Sequence, residues 1–332
     1  MDKNLVKALT EAVGLGHLSG ATDVAKAELS KYAKVKDFGS IGLIAEINQN
    51  KDKTIMLEAH IDEVGFIVTH IFNDGFIKLA KVGGNDQRIL PATQIVVHGK
   101  EDVPAVFVST PPHLAKGGEA PGLDDTFADT GLENAADLIN VGDYATYKKE
   151  FSCLYGNRVT AKSLDDRAAV ACLIEVAKRL YEKPLPVNVL FCLSEQEELG
   201  TRGAVTAAYS VNANEAVAVD VSFGDCPDLS PTKSGKLSGG AMIGISPILN
   251  RKISDLLSIL AKENAVPHQF EVMGGATGTD ADVISVSKSG IPCGLISIPL
   301  RNMHTPAEVV DLADLDAVCD ILEAYILAGG AL

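Results

Sequence analysis

The stretch LFCLSEQEELG, residues 190–200, carries an apolar run straight into Glu195, Glu197 and Glu198. Carboxylates that close repel and raise one another's pKa unless a proton or a cation sits among them. Partners for a cation stand after other apolar runs. His60 and Asp62 follow TIMLEA, Asp220 ends AVAV with Asp225 and Asp228 beyond it, and Arg301 and His304 follow CGLISIP. Asp165 and Asp166 open a helical stretch behind Ser163, which reads as its N-cap. Two imidazoles with several carboxylates and no thiolate motif suit Zn²⁺, Mn²⁺ or Co²⁺ in a hydrolytic site. The carboxylates exceed what one tetrahedral ion needs, so the expectation is two ions about 3.5–4 Å apart with one carboxylate bridging.

Spacing refines the roles. Residues i and i+2 of an extended chain point the same way. His60 can therefore ligate while Asp62 holds the other ring nitrogen and fixes the tautomer. Glu197 and Glu198 are adjacent and point apart, so one can ligate while the other faces the substrate as a general base. Each residue alone has a plain structural explanation. Asp165 and Asp166 would complement a helix dipole, EQEE would be a solvated helix start, and His60 a satisfied core histidine. Their coincidence at separate strand ends is what favours chemistry. His17, His70, His98, His113, His268 and Cys226 are assigned no role.

The elements that must hold these residues alternate. Helices are expected over 4–13, 22–34, 164–183 and 251–265, over 281–290 ending at Gly290, and over the C-terminal LADLDAVCDILEAYILAGG. Strands are expected at TIMLEAHID, PVNVLFCLS, AVAVDVS and PCGLISIP. This rhythm predicts an α/β fold, a mostly parallel sheet with helices on both faces. Residues 64–147 differ: short alternating runs are separated by turn signals such as Asn73-Asp74-Gly75, with a short helix at 133–139 and a Pro/Gly-rich loop at 111–125. The expected organisation is one domain made of 1–63 and 156–332, interrupted by a β-rich insertion at 64–155.

Composition narrows the classes. With 44 acidic against 29 basic residues the chain carries −15, which argues against a nucleic-acid partner and weakly against acidic substrates. No G-x-S-x-G elbow or phosphate loop occurs, and the absence of Trp disfavours a polysaccharide platform. Six cysteines without a C-x-x-C pair read as free thiols of a reducing cytoplasm. No signal peptide or membrane span is read, so the chain is expected to be soluble and cytoplasmic.

AHIDEVGFIV, SLDDRAAV, EQEELGTRGA, VDVSFGD, GTDAD and RNMHTPAEVV occur in one order over nearly the whole chain. Together they resemble the M42 family of dinuclear metallo-aminopeptidases, which includes the glutamyl and TET aminopeptidases. The resemblance implies a barrel-like insertion that serves oligomerisation or substrate access. It implies His60 and Asp220 on one metal, Glu198 and His304 on the other, and Asp165 bridging. It also implies Glu197 as general base, with Asp62 behind His60. Asp165 rather than Asp166 is chosen by the resemblance alone. The implied partners are short peptides with a free N-terminus and further copies of the chain, as a dodecamer or dimer; no nucleic acid or membrane is expected. Two alternatives stand beside this. One is an N-acyl-amino-acid hydrolase or carboxypeptidase-like enzyme, for which Arg301 is the candidate carboxylate-binding cation. The other is a degenerate metal-binding scaffold.

Overall fold

A computed structural model describes residues 1–37, 41–111, 113–114 and 127–332. Helices α1 (Lys3–Glu11) and α2 (Gly20–Leu29) precede strands β1 (Lys34–Asp37), β2 (Gly42–Ile47) and β3 (Thr54–His60). Six short strands follow: β4 (Gly65–Ile71), β5 (Phe76–Val82), β6 (Gln94–His98), β7 (Asp102–Phe107), β8 (Phe127–Asp129) and β9 (Tyr144–Tyr147). The chain then runs through β10 (Ser152–Cys153), β11 (Arg158–Ala161), α3 (Leu164–Leu180), β12 (Asn188–Ser194), α4 (Arg202–Ser210), β13 (Glu215–Phe223) and β14 (Ala241–Ile245). It ends with α5 (Arg251–Glu263), β15 (His268–Val272), α6 (Ala281–Ile284), β16 (Cys293–Leu300), β17 (Glu308–Asp311) and α7 (Leu312–Leu327).

The main sheet has eight strands in the order β1-β2-β12-β3-β13-β16-β14-β15. Its centre, β12-β3-β13-β16, is parallel, while β1, β2 and the β16–β14 pairing are antiparallel. Alternation assigns each side chain to a face. Ile55, Leu57, Ala59, Val217, Val219 and Val221 join the larger core with α1, α2, α3, α5 and α7. Met56, Leu190, Cys192, Ala216, Ala218 and Leu295 face the other way, against the short helices α4 and α6. Continuing that second phase places Glu58, His60, Ser194, Asp220, Ser222 and Ser297 on the thinly covered face. The parallel strands end there together, where open α/β sheets bind ligands.

β4-β5-β8-β7-β6-β9 close into an antiparallel barrel with its own core. Phe66 sits edge-on to Phe107 at 5.0 Å and to Tyr147 at 5.4 Å, a favoured aromatic geometry. The Asn73-Asp74-Gly75 turn joins β4 to β5. Gly75 has φ 81°, and a Cβ there would meet the Leu132 carbonyl oxygen at 1.9 Å, so the turn requires glycine.

Several local expectations change. Ser163 does not cap α3: it sits at φ 58°, and its hydroxyl donates to Glu63 instead (2.7 Å). Asp165 and Asp166 are non-helical, joined by a cis peptide, so regular helical backbone begins after them. The expected helix at 281–290 is only α6 followed by turns, and 133–139 holds a 3₁₀ turn at Ala135–Asp137. The loop expected at 111–125 lies, apart from residues 111, 113 and 114, outside the described residues. Among the described residues no helix is long and apolar enough to cross a membrane.

Candidate metal centre

His60 ends β3, Asp220 lies in β13, Asp165 precedes the helical part of α3, Glu197 and Glu198 follow β12, and His304 follows β16. These segments converge. Asp165 presents one oxygen to each imidazole: Oδ1 lies 3.1 Å from His60 Nε2, and Oδ2 lies 3.2 Å from His304 Nε2. His60 Nε2 is also 4.0 Å from Asp220, and His304 Nε2 is 3.2 Å from Glu198. Three groups have donor atoms all within 4.8 Å of one another: His60, Asp165 and Asp220; Asp165, Glu198 and His304; and His60, Glu197 and Glu198. Asp166 is fully buried and belongs to none of them.

The surrounding atoms hold these groups in place. His60 Nδ1 faces Asp62 at 3.4 Å. The Asp62 carboxylate also accepts the backbone N–H groups of Glu197 (3.1 Å) and Glu198 (3.3 Å), so one acid supports both a ring and the glutamate turn. His304 Nδ1 is 2.7 Å from the Gly84 carbonyl oxygen, which only accepts; the ring must donate there, and Nε2 is turned to the carboxylates. A Cβ at Gly84 would come within 2.7 Å of that ring, so the approach requires glycine. Glu195 points elsewhere and accepts from the Thr22 hydroxyl (2.6 Å).

The charges are unbalanced. Burial opposes a proton on His60, yet Asp165 and Asp62 raise its imidazole well above the usual value. Against the same opposition, Asp165 and Glu198 lift His304 to about 11. Burial raises Asp220 well above the carboxylate range, with Asp165 adding to it against the pull of His60. Burial likewise brings Glu197 to about 7, and neighbouring Asp280 and Glu198 push the same way. Four carboxylates and two imidazoles, all oxygen and nitrogen donors, thus form a partly buried site with a surplus of acid. This donor set fits divalent cations.

Other residues of the site carried no assignment from the sequence. Glu308 is buried and accepts the backbone N–H of both Asp165 (3.1 Å) and His304 (2.8 Å), fixing two segments at once. Glu58 and Asp280 are both buried and both lie 2.8 Å from the Ser194 hydroxyl. One hydroxyl proton cannot serve two carboxylates, so one carboxyl is protonated and donates. Burial raises Glu58 well above its usual value, with Asp280 adding to the effect. Glu58 had a readable signal: a charge inside an apolar strand, two residues before His60. Glu308 had none beyond its motif.

His60, Asp165, Glu197, Glu198, Asp220 and His304 open into a cavity of about 510 Å³. Among the described residues no Lys or Arg lines it. Arg301 is engaged elsewhere, donating to the Asp225 carboxylate at 2.6 Å and to its backbone oxygen.

Comparison with known proteins agrees with this geometry. The sequence profile of the M42 glutamyl aminopeptidases matches residues 41–321. A putative aminopeptidase of Acetivibrio thermocellus is 32% identical over 96% of each chain. An aminopeptidase structure from the archaeon Desulfurococcus kamchatkensis superposes with TM-score 0.92 at 30% identity, covering 98% of this chain and 94% of that one. The TET1 peptidase of Pyrococcus horikoshii gives 0.87 at 30% identity over 98% of both chains. The profile covers most of the sequence, the relatives match it nearly end to end, and the acid-rich centre sits at the carboxyl ends of the parallel strands: the chain belongs to the M42 glutamyl aminopeptidase family and is a metallo-aminopeptidase, a peptide-bond hydrolase.

Proposed function

We propose that the chain releases the N-terminal residue of short peptides, using two divalent ions drawn from Zn²⁺, Co²⁺ or Mn²⁺. The observation that carries this reading is Asp165, with one oxygen toward each imidazole. His60 and Asp220 would hold one ion, Glu198 and His304 the other, and Asp165 both. Bound there, the ions supply Lewis acidity toward the attacking water and the scissile carbonyl. Glu197 takes a proton from that water and hands it to the leaving amine. Asp62 keeps His60 in the tautomer that turns Nε2 to the site. The acid-rich cavity attracts the free α-ammonium group of a peptide.

The same electrostatics disfavour the carboxypeptidase-like alternative. A substrate carboxylate would meet Asp165, Glu197, Glu198 and Asp220, and Arg301 is held by Asp225. We read residues 1–63 and 156–332 as the catalytic domain and 64–155 as an insertion serving assembly or access. A homo-oligomer is supported by the related TET1 peptidase, which assembles into a tetrahedron or a large octahedral shell. The six free cysteines accord with a reducing compartment such as the cytoplasm.

The test is metal removal and return. Chelated protein should lose activity on aminoacyl-p-nitroanilides and melt lower. Reloading with Zn²⁺, Co²⁺ or Mn²⁺ should restore both, with elemental analysis giving two ions per chain. A ligand at 100 times its Kd stabilises the folded state by about 2.7 kcal/mol. Fewer than one ion per chain after loading would favour the scaffold alternative. Preference for N-blocked over free-amine dipeptides would favour the acyl-amino-acid hydrolase.

A further inference from the structure

We propose that Glu271 selects a cationic side chain, lysine or arginine, at the N-terminal residue of the substrate; this rests on the aminopeptidase reading above. Glu271 lies on β15, at the edge of the sheet. Its carboxylate reaches back across β14. One oxygen accepts the Ser222 hydroxyl of β13, and the other accepts the Ser297 hydroxyl of β16 (2.8 Å). Ser222 is two residues beyond Asp220 on the same strand face, a displacement of roughly 7 Å. Ser297 is the register partner of Asp220. The carboxylate is thus anchored about one long side chain away from the metal donors, in the same cavity.

Two neutral hydroxyls position Glu271 and bring no counter-charge to it. Among the described residues no Lys, Arg or His forms an ion pair with it. Each oxygen has taken one hydrogen bond, and a carboxylate oxygen has room for a second. Phe223, Met273, Leu295 and Met303 line the cavity as well, offering apolar wall to a methylene stem whose charged end reaches Glu271. A glutamyl side chain would meet like charge inside a confined space. A leucyl side chain would desolvate the carboxylate without offering a donor. The site therefore rewards a long, flexible cation and penalises the other two classes.

The experiment compares kcat/KM of the metal-loaded full-length enzyme on lysyl-, arginyl-, leucyl- and glutamyl-p-nitroanilide. Wild type should favour the two cationic substrates over the glutamyl one by about 100-fold. Glu271→Gln should lower the lysyl and arginyl values by about 100-fold while the leucyl value rises, because the amide no longer carries the charge that leucine desolvates. Glu271→Lys should raise the glutamyl substrate above the lysyl one. A wild type preferring leucyl or glutamyl substrates overturns the proposal. So does a Glu271→Gln variant that loses activity equally on all four, since that is the signature of a merely structural residue. Failure to cleave any of the four overturns the aminopeptidase reading and this proposal with it. Leucyl cleavage without a cationic preference overturns this proposal alone.

Discussion

Glu63 and His60 stand three residues apart in the chain, and the buried charges around them are handled in opposite ways. Around Glu63 each carboxylate oxygen is filled. Oε2 accepts from Lys162 (2.6 Å) and Ser163 (2.7 Å), and Oε1 accepts from Arg167 (2.9 Å) and the Gly14 backbone (3.0 Å). Burial works against ionisation there, yet Lys162 and Arg167 pull the Glu63 carboxyl down to about 2. Arg167, fully buried, also donates to the Ile61 and Leu9 carbonyl oxygens and so ties α1 and the segment just after β3 to α3. Around His60 the carboxylates of Asp165, Asp220, Glu197 and Glu198 gather, and among the described residues no lysine or arginine lines their cavity. A buried charge needs a partner of opposite sign. The first cluster finds its cations within the chain and acts as structure. The second sets only two imidazoles against four carboxylates, and that surplus of acid fits a divalent cation.

Substitutions can break or sharpen this contrast. Glu197→Gln keeps the shape and removes the proton acceptor, so kcat should fall by about 1000-fold with bound metal unchanged. Single-turnover rates alongside elemental analysis check this, and wild-type turnover would remove Glu197 from its role. Glu63→Ala leaves Lys162 and Arg167 buried without a counter-charge and should cost about 3–5 kcal/mol in urea unfolding. A cost under about 1 kcal/mol would mean the balance attributed to Glu63 is not what stabilises the cluster.

The same carboxylate gives a pH signature. Glu63 is lowered from 4.5 to about 2 in the folded chain, so its stabilisation is complete above pH 4.5 and fades as the pH falls toward 2. The contribution is on the order of 3 kcal/mol. The stability difference between wild type and Glu63→Gln, followed by denaturant unfolding, should narrow across that window; a constant difference would refute the assignment. The smallest effect is expected for Asp62→Asn, which weakens the support behind His60 and should lower metal affinity about 10- to 100-fold. Competition with a chelator measures it, and an unchanged affinity would confine Asp62 to holding the glutamate turn.

How much of this was legible in the sequence depended on the range of the contact. The β3 strand, the Asn73-Asp74-Gly75 hairpin, β16 and α7 were readable because periodicity and turn chemistry act over a few residues. Ser163 misled for a physical reason. It has the chemistry of a cap, but a carboxylate 100 positions earlier in the chain binds its hydroxyl instead. Nothing local separates Asp165 from Asp166, or Glu195 from Glu197 and Glu198. The first pair is parted by a non-helical backbone at the head of α3, and Glu195 by a hydroxyl on α2.

From its residues alone the sequence determined that imidazoles and carboxylates would follow apolar strands and that a β-rich segment would interrupt an α/β chain. Only the tertiary structure decided which of those ends meet. The order β12-β3-β13-β16 brings Ser194, His60, Asp220 and Ser297 onto one face, and Glu308 joins Asp165 to His304 across more than a hundred residues of chain. It also sent Arg301 to Asp225 and Glu271 to two serines on other strands. The reason is that side-chain direction follows from local backbone geometry, whereas neighbours across a sheet are set by burial of whole faces, which no short stretch of sequence encodes.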